Sequence, residues 1–270
     1  TANDVMAQVP SVYGSDGKLT NVVGKSEIFN RPMYRISLKD GRVVDVCEEH
    51  LNSVYIKNHK GLHKRVLTTK ELLSLPLQLI RKRNVDTEKR RVTKENLMYI
   101  ECTKAVEYPT KKLPIDPYTL GVVLGDGRVR KKCGSVELTG HIDDFPHYLS
   151  SIPYDFGKYQ IDTRNPNVRT QSIRGLGKIL KDLALNVHGN HKFIPMEYFY
   201  GDVSQRLALL QGLMDTDGTV SERKINSVAS FTSNSEKLAD GVSYLVNSLG
   251  GWTHKGRHNS GAYRLQIHLN

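Results

Sequence analysis

A nine-residue pattern that occurs twice constrains this chain more than any other feature of its sequence. Thr119-Leu120-Gly121-Val122-Val123-Leu124-Gly125-Asp126-Gly127 aligns with Leu210-Gln211-Gly212-Leu213-Met214-Asp215-Thr216-Asp217-Gly218 at an offset of 91 residues. Both copies are apolar helical stretches with glycine in third place and Asp-Gly at the end. The segments downstream of the two copies also match: short strand patterns, a helical pattern at 141–151 or 235–249, then two further strands. Those last strands are 159–162 with 168–173 in one copy, and 252–254 with 263–269 in the other. The repeat predicts an α+β fold of two pseudo-symmetric αββαββ units, about 113–200 and 201–270, with an extra helix at 176–185 closing the first.

The repeated segment carries chemistry as well as shape. A carboxylate at a helix C-terminus faces the negative end of the helix dipole, and that placement calls for a compensating cation. Gly121 and Gly212 each cost a helix about 1 kcal/mol relative to alanine. The cost is explained if the two helices meet backbone to backbone. Helices so packed would bring Asp126 and Asp217 together at one end, where they repel unless a cation lies beside them. Oxygen donors select a hard ion, Mg²⁺ or Mn²⁺, which polarises a phosphate and activates water.

The net charge of +11 favours a polyanionic partner. No apolar run approaches the length that spans a bilayer and no secretory leader is legible, so nucleic acid is the expected partner and no membrane. Three scattered cysteines, Cys47, Cys102 and Cys133, argue against a disulfide framework and suit a reducing cytoplasm. Residues 1–56 read as a β-rich domain whose clearest hairpin turns at Asp40-Gly41. Residues 57–112 hold 15 Lys and Arg against 6 acids and read as a basic connecting segment, with Arg81, Lys82 and Arg83 at the centre of a DNA-contacting arm. The endonuclease-like region is 113–270.

Leu210 to Gly218 resembles the LAGLIDADG motif of homing endonucleases, and Thr119 to Gly127 resembles its variant common in inteins. His191-Lys192-Phe193-Ile194-Pro195 is similar to the Lys-x-Ile-Pro block between the two motifs of intein endonucleases. The resemblance implies that Asp126 and Asp217 bind the metal, joined by Gly125 and Thr216, and that Lys192 supports catalysis. It further implies two sheets forming a saddle on double-stranded DNA, cleavage across the minor groove leaving short 3′ overhangs, and a long asymmetric target site bound by a monomer. Asp215 matches Leu124 and is expected to be structural. A second lysine is left open between Lys158 and Lys255.

Tyr34 to His50 is similar to the splicing (Hint) domain of inteins, particularly those in phage DNA-packaging genes, with His50 matching a splicing histidine and Cys47 standing where threonine is usual. The flanking splicing blocks are not found, so a partial, vestigial domain is expected, in a bacterial or phage-infected cell and near the nucleoid. The expected base readers are Arg128, Arg130, Lys132, Arg164, Arg169, Arg174, Arg223, Lys224, Arg257 and Arg264. Two other readings compete: an intein splicing element, and a catalytically silent DNA- or RNA-binding protein of the maturase or regulator kind on the same scaffold.

Overall fold

A computed structural model describes residues 10–24, 27, 29–86, 89–130, 135–221 and 228–269. The chain forms two compact units, Thr1–Pro10 with Val22–Cys102, and Ser11–Asn21 with Thr103–Asn270. This division differs from the boundaries at 56 and 112 expected from composition. Strand β5 (Leu51–Asn58) runs through the first of those boundaries.

In the first unit, β3 (Met33–Ser37) and β4 (Val43–Cys47) form the expected hairpin, with Gly41 at φ +95° in its turn. Strand β5 pairs with β6 (Gly61–Thr68) and with β9 (Met98–Tyr99). Helix α1 (Thr69–Leu73) starts on a capping box in which the Thr68 side chain and the Glu71 carboxylate satisfy each other's backbone amides. The basic run forms a two-stranded ribbon, β7 (Gln78–Asp86) with β8 (Lys89–Asn96), where Arg83 stands opposite Arg91. Arg81 and Lys82 lie in the same strand, and the side chains of Arg81, Lys82 and Arg83 fall outside the described residues.

The second unit opens with a small hairpin, β1 (Ser11–Tyr13) and β2 (Leu19–Asn21). Its backbone bonds to the segment after residue 102: the Lys104 amide donates to the Ser15 carbonyl and the Glu107 amide to that of Gly17. The remainder is two copies of one design. The first runs α2 (Pro117–Asp126), β10 (Gly127–Val129), β11 (Val136–His141), α3 (Phe145–Ser151), β12 (Phe156–Ile161) and β13 (Val168–Ile173). Helices α4 (Leu176–Asp182) and α5 (Met196–Phe199) lead into the second copy. That copy runs α6 (Val203–Asp217), β14 (Gly218–Ser221), β15 (Val228–Ser233), α7 (Glu236–Ser248), β16 (Trp252–Arg257) and β17 (Tyr263–His268). The sheets have the same antiparallel order, β10-β11-β13-β12 and β14-β15-β17-β16. The predicted αββαββ repeat is therefore present in both halves.

Local chemistry starts and ends the two central helices. Asp116 caps α2 by accepting from the Thr119 amide at 2.8 Å, with Pro117 preset for the first turn. Asp202 and Gln205 form a capping box at the start of α6. At the far ends, Gly127 and Gly218 have extended backbones (φ −81° and −86°) rather than left-handed caps. They are required by space, since a Cβ on Gly127 would lie 2.4 Å from the Val123 carbonyl oxygen and one on Gly218 2.2 Å from that of Met214. The chain can thus turn from helix into strand without a linker, and each aspartate is fixed at that corner.

The core lies between the helices and one face of each sheet, with Leu120, Val123, Leu138, Leu213, Phe231 and Leu265 among its buried members. Arg206 of α6 is fully buried. Its guanidinium donates to the carbonyls of Gly201 (2.9 Å) and Ser248 (2.7 Å), to the Ser248 hydroxyl, and to the Val106 carbonyl. Removing it orphans several buried acceptors, each worth about 1–3 kcal/mol. Arg206→Met is expected to destabilise the fold by about 3 kcal/mol, read as a shift of the urea midpoint at unchanged slope.

Candidate active site

The last residues of α2 and α6 are Asp126 and Asp217, and the helices that carry them touch along their backbones. A Cβ on Gly121 would fall 2.4 Å from the Leu209 carbonyl oxygen, and one on Gly212 2.2 Å from that of Tyr118. This is the close approach expected from the paired glycines.

Lys192 enters from the loop ahead of α5. Its ammonium donates to the carbonyls of Gly125 (2.8 Å), Gly127 (2.9 Å) and Val123 (3.4 Å), closing the C-terminal end of α2. The Ser235 hydroxyl, which also caps α7, donates to the Lys192 carbonyl at 2.6 Å and fixes the loop. Burial pushes the Asp126 carboxyl up to about 6; the charge of Asp217 adds to the rise, Lys192 opposes it, and Asp144 contributes a little more. Burial likewise raises Asp217, against the pull of Lys192. Burial lowers Lys192, and Asp217 and Asp126 resist that change. Three ionisable groups thus lie within electrostatic reach of one another in one partly dry corner.

Beside Asp217 lies a cavity of about 390 Å³ bounded by Gly125, Lys192, Thr232, Asn234 and Ser260. A larger cavity of about 800 Å³ in the first unit is lined by leucines and polar groups together with Arg35 and Lys39, with no acid or histidine in its lining to hold a metal.

The donor set suits a hard cation. It comprises two carboxylates and the backbone oxygens at the helix ends, Gly125 and Thr216 included, with no thiolate or imidazole among them. Among the described residues no group of three or more His, Cys, Asp or Glu side chains is placed to hold a metal. An ion here would complete its shell with water or substrate oxygens. A carboxyl group whose pKa is raised by folding stabilises the fold below its unfolded value, near 4, and that contribution is lost as pH rises through about 6. In EDTA the melting temperature is therefore expected to fall between pH 4 and 6 more in the natural protein than in Asp126→Asn. The stabilisation by Ca²⁺ should grow across the same window, because the ion binds the ionised carboxylate. Thermal melts with EDTA or Ca²⁺ across that pH range check both.

Other expected residues separate. The Asp215 carboxylate accepts from the Tyr118 hydroxyl at 2.8 Å and meets His147 Nε2 at 3.2 Å, so it ties α6 to α2 and α3. Tyr148, not singled out from sequence, donates to the Asp215 carbonyl at 3.3 Å and feels the charge of both Asp126 and Asp217. Lys255 is paired with Glu236 and Asp240 of α7, at 3.0 and 2.6 Å, on the helix-covered side of its sheet. Lys158 is exposed on β12.

Strand register sorts the expected DNA readers. In the first sheet the buried Val136, Leu138, Gln171 and Ile173 mark the helix-covered face. Arg128, paired with Glu137, takes the open face, and Arg130 joins it through an ion pair to Glu137 at 2.8 Å. Arg164 lies in the β12–β13 turn and Arg174 just past β13, both exposed. In the second sheet Arg264 is opposite Thr232 on the open face and donates to the Ser230 hydroxyl at 3.2 Å. Arg169 and Arg257 correct the expectation. Arg169 shares the buried-side register of Gly140 and sits between the Phe145 and Tyr159 rings, at 4.5 and 4.4 Å. Arg257 lies 3.7 Å over the Tyr263 ring, whose hydroxyl bonds to Glu236 of α7. Both stack against the layer that covers the helix side. Lys132, Arg223 and Lys224 lie outside the described residues. In the first unit, Cys47 ends β4 and the exposed His50 comes three positions later; the His50 amide donates to the Cys47 carbonyl at 3.2 Å.

Comparison with known proteins adds to this geometry. Residues 204–268 match the family model of the LAGLIDADG-like domain, a span that holds Asp217 and the second repeat. Replicative DNA helicase DnaB of Mycobacterium intracellulare is 28% identical over 265 residues, covering 93% of this chain. The chain spans only 40% of that helicase's length. Among solved structures, variants of the homing endonuclease I-DmoI align over 58% of this chain and 83% of theirs, with 16% identity and a TM-score of 0.38. Full-length DUF199/WhiA of Thermatoga maritima aligns over 58% of this chain and 51% of its own, with 12% identity and a TM-score of 0.41.

Proposed function

We propose that this protein is a site-specific, divalent-metal-dependent endonuclease that hydrolyses both strands of DNA. One observation carries the reading: two carboxylates end two equivalent helices that touch along their backbones, and a half-buried lysine is bonded to the end of one of them. The LAGLIDADG-like match over 204–268 agrees with it. A Mg²⁺ or Mn²⁺ ion, when bound, would polarise the scissile phosphate and lower the pKa of attacking water. Asp126 and Asp217 would hold it with backbone oxygens of Gly125 and Thr216. Lys192 would place positive charge where charge develops on the phosphate.

The open faces of the two sheets would form the saddle on the duplex, with Arg128, Arg130 and Arg264 among the side chains directed toward it. The repeats are alike in topology and different in sequence, so a single chain would read a long asymmetric site and leave short 3′ overhangs. No helix among the described residues is long and apolar enough to cross a membrane. The first unit, with Cys47 and His50 in one turn, would be the remnant of an intein splicing domain. The partial overlap with a helicase suits a chain carried inside a host protein. The sequence contains no Gly-x4-Gly-Lys-Ser/Thr phosphate loop, which speaks against an ATPase function of its own.

Cleavage of a randomised plasmid library by the full chain with Mg²⁺ or Mn²⁺ tests the reading. Specific cuts lost in Asp126→Asn and Asp217→Asn are expected. Binding without cutting under any of these metals would favour the silent DNA-binding alternative.

A further inference from the structure

Lys192 is placed unlike an ordinary catalytic lysine waiting for substrate. Its ammonium carries three hydrogens, and three carbonyls at the end of α2 accept them: Gly125, Gly127 and Val123. Those oxygens belong to the negative end of a helix that also carries a carboxylate, the place where a cation is most stabilising. The equivalent oxygens of α6 belong to Thr216, Gly218 and Met214, and among the described residues no lysine or arginine is placed on them. The two halves of the site are therefore unequal, although the helices that build them are equivalent.

The anchoring is unequal in the same sense. Lys192 is held from the second repeat by the Ser235 hydroxyl, yet its charge serves the end of the first repeat's helix. The cavity beside Asp217 is bounded by Gly125 and Lys192 as well. A divalent ion approaching Gly125 meets an ammonium already bonded to that carbonyl, and two cations on one oxygen repel. Among the described residues no ammonium is bonded to the Thr216 carbonyl, so an ion approaching that oxygen meets no cation already on it, although Asp217 beside it feels the Lys192 charge.

We propose that Lys192 is the resident counter-cation of this site: it neutralises the end of α2, competes with divalent metal for the Gly125 carbonyl, and directs the first ion toward the Thr216 carbonyl. The inference rests on the metal-dependent reading above. It assigns Lys192 a role in setting metal affinity, separate from any contact with substrate.

The test is a calorimetric titration of the full chain with Ca²⁺, without DNA, comparing the natural protein with Lys192→Met, Lys192→Gln and Lys192→Arg. Removing the charge leaves two carboxylates without their internal partner, so Lys192→Met should bind Ca²⁺ about tenfold more tightly, an ordinary size for coupling between two binding events. Lys192→Gln keeps amide donors for the carbonyls and should show the same tightening, which guards against loss of folding in the methionine variant. Lys192→Arg keeps the charge and should bind as the natural protein does. Equal or weaker Ca²⁺ binding by both neutral variants, with the natural protein binding normally, would overturn the competition. If the natural protein bound no Ca²⁺ at all, the metal-dependent reading itself would fall, and that outcome is distinguishable from the first.

Discussion

Asp126→Asn is expected to slow DNA cleavage about 10³-fold, with DNA affinity nearly unchanged. The magnitude comes from the metal's part in the reaction: polarising a phosphate and generating a nucleophile are worth several kcal/mol of barrier, and each 1.36 kcal/mol is tenfold in rate. Asparagine keeps the size of the side chain but removes the charge that holds the ion. Asp217→Asn should have a similar effect. The double variant should be little worse than either alone, since groups that act as one unit are not additive. Neither substitution should destabilise the protein, because burial already disfavours both ionised carboxylates. Single-turnover cleavage, gel-shift binding and a thermal melt on the same preparations separate the three quantities. Intact cleavage by both single variants would remove these residues from the site.

The largest effect on stability is expected where the central helices touch. Gly121→Ala gains up to about 1 kcal/mol in helix propensity. Its new Cβ, however, would sit 2.4 Å from the Leu209 carbonyl oxygen and 2.8 Å from the Leu213 amide nitrogen. These are backbone atoms, which cannot rotate aside, so the helices must separate. Overpacking of this kind costs about 1–3 kcal/mol and sometimes more, and a net loss of about 3 kcal/mol is expected here. Gly212→Ala should behave alike. The pair should cost less than the sum, since the first substitution already opens the contact the second would strain. Both should also reduce cleavage, because the helices that move apart carry Asp126 and Asp217. Denaturant midpoints of the two single variants and the double variant measure this directly.

The duplicated helix and its sheet were legible because their signals are local: a recurring glycine, a terminal Asp-Gly, and alternation in the strands downstream. Lys192 could be singled out by its neighbours in sequence. Its three carbonyl partners could not, because they lie more than sixty positions away. Tyr148 was missed for the same reason; nothing in its helix indicates that its hydroxyl reaches the end of another. Arg169 and Arg257 were misplaced because composition reports charge and not strand parity, and one position decides which face a side chain takes. Residues 57–112 read as a basic connecting segment because charge masked the alternation of β6 to β8. Their strands emerge once paired, as with Val54 opposite Arg65 and Ile56 opposite His63.

The small hairpin Ser11–Asn21 has a consequence for ancestry. It belongs to the second unit, yet first-unit sequence flanks it on both sides. Gly17, at φ +81°, packs so closely on Ala105 that no side chain fits, and Tyr13 meets Tyr108 edge to face at 5.0 Å. No single crossover in the gene can therefore part the second unit, whole, from the first: a break near residue 103 leaves its hairpin behind. Separating the two units takes two breaks, one on each side of residues 22–102.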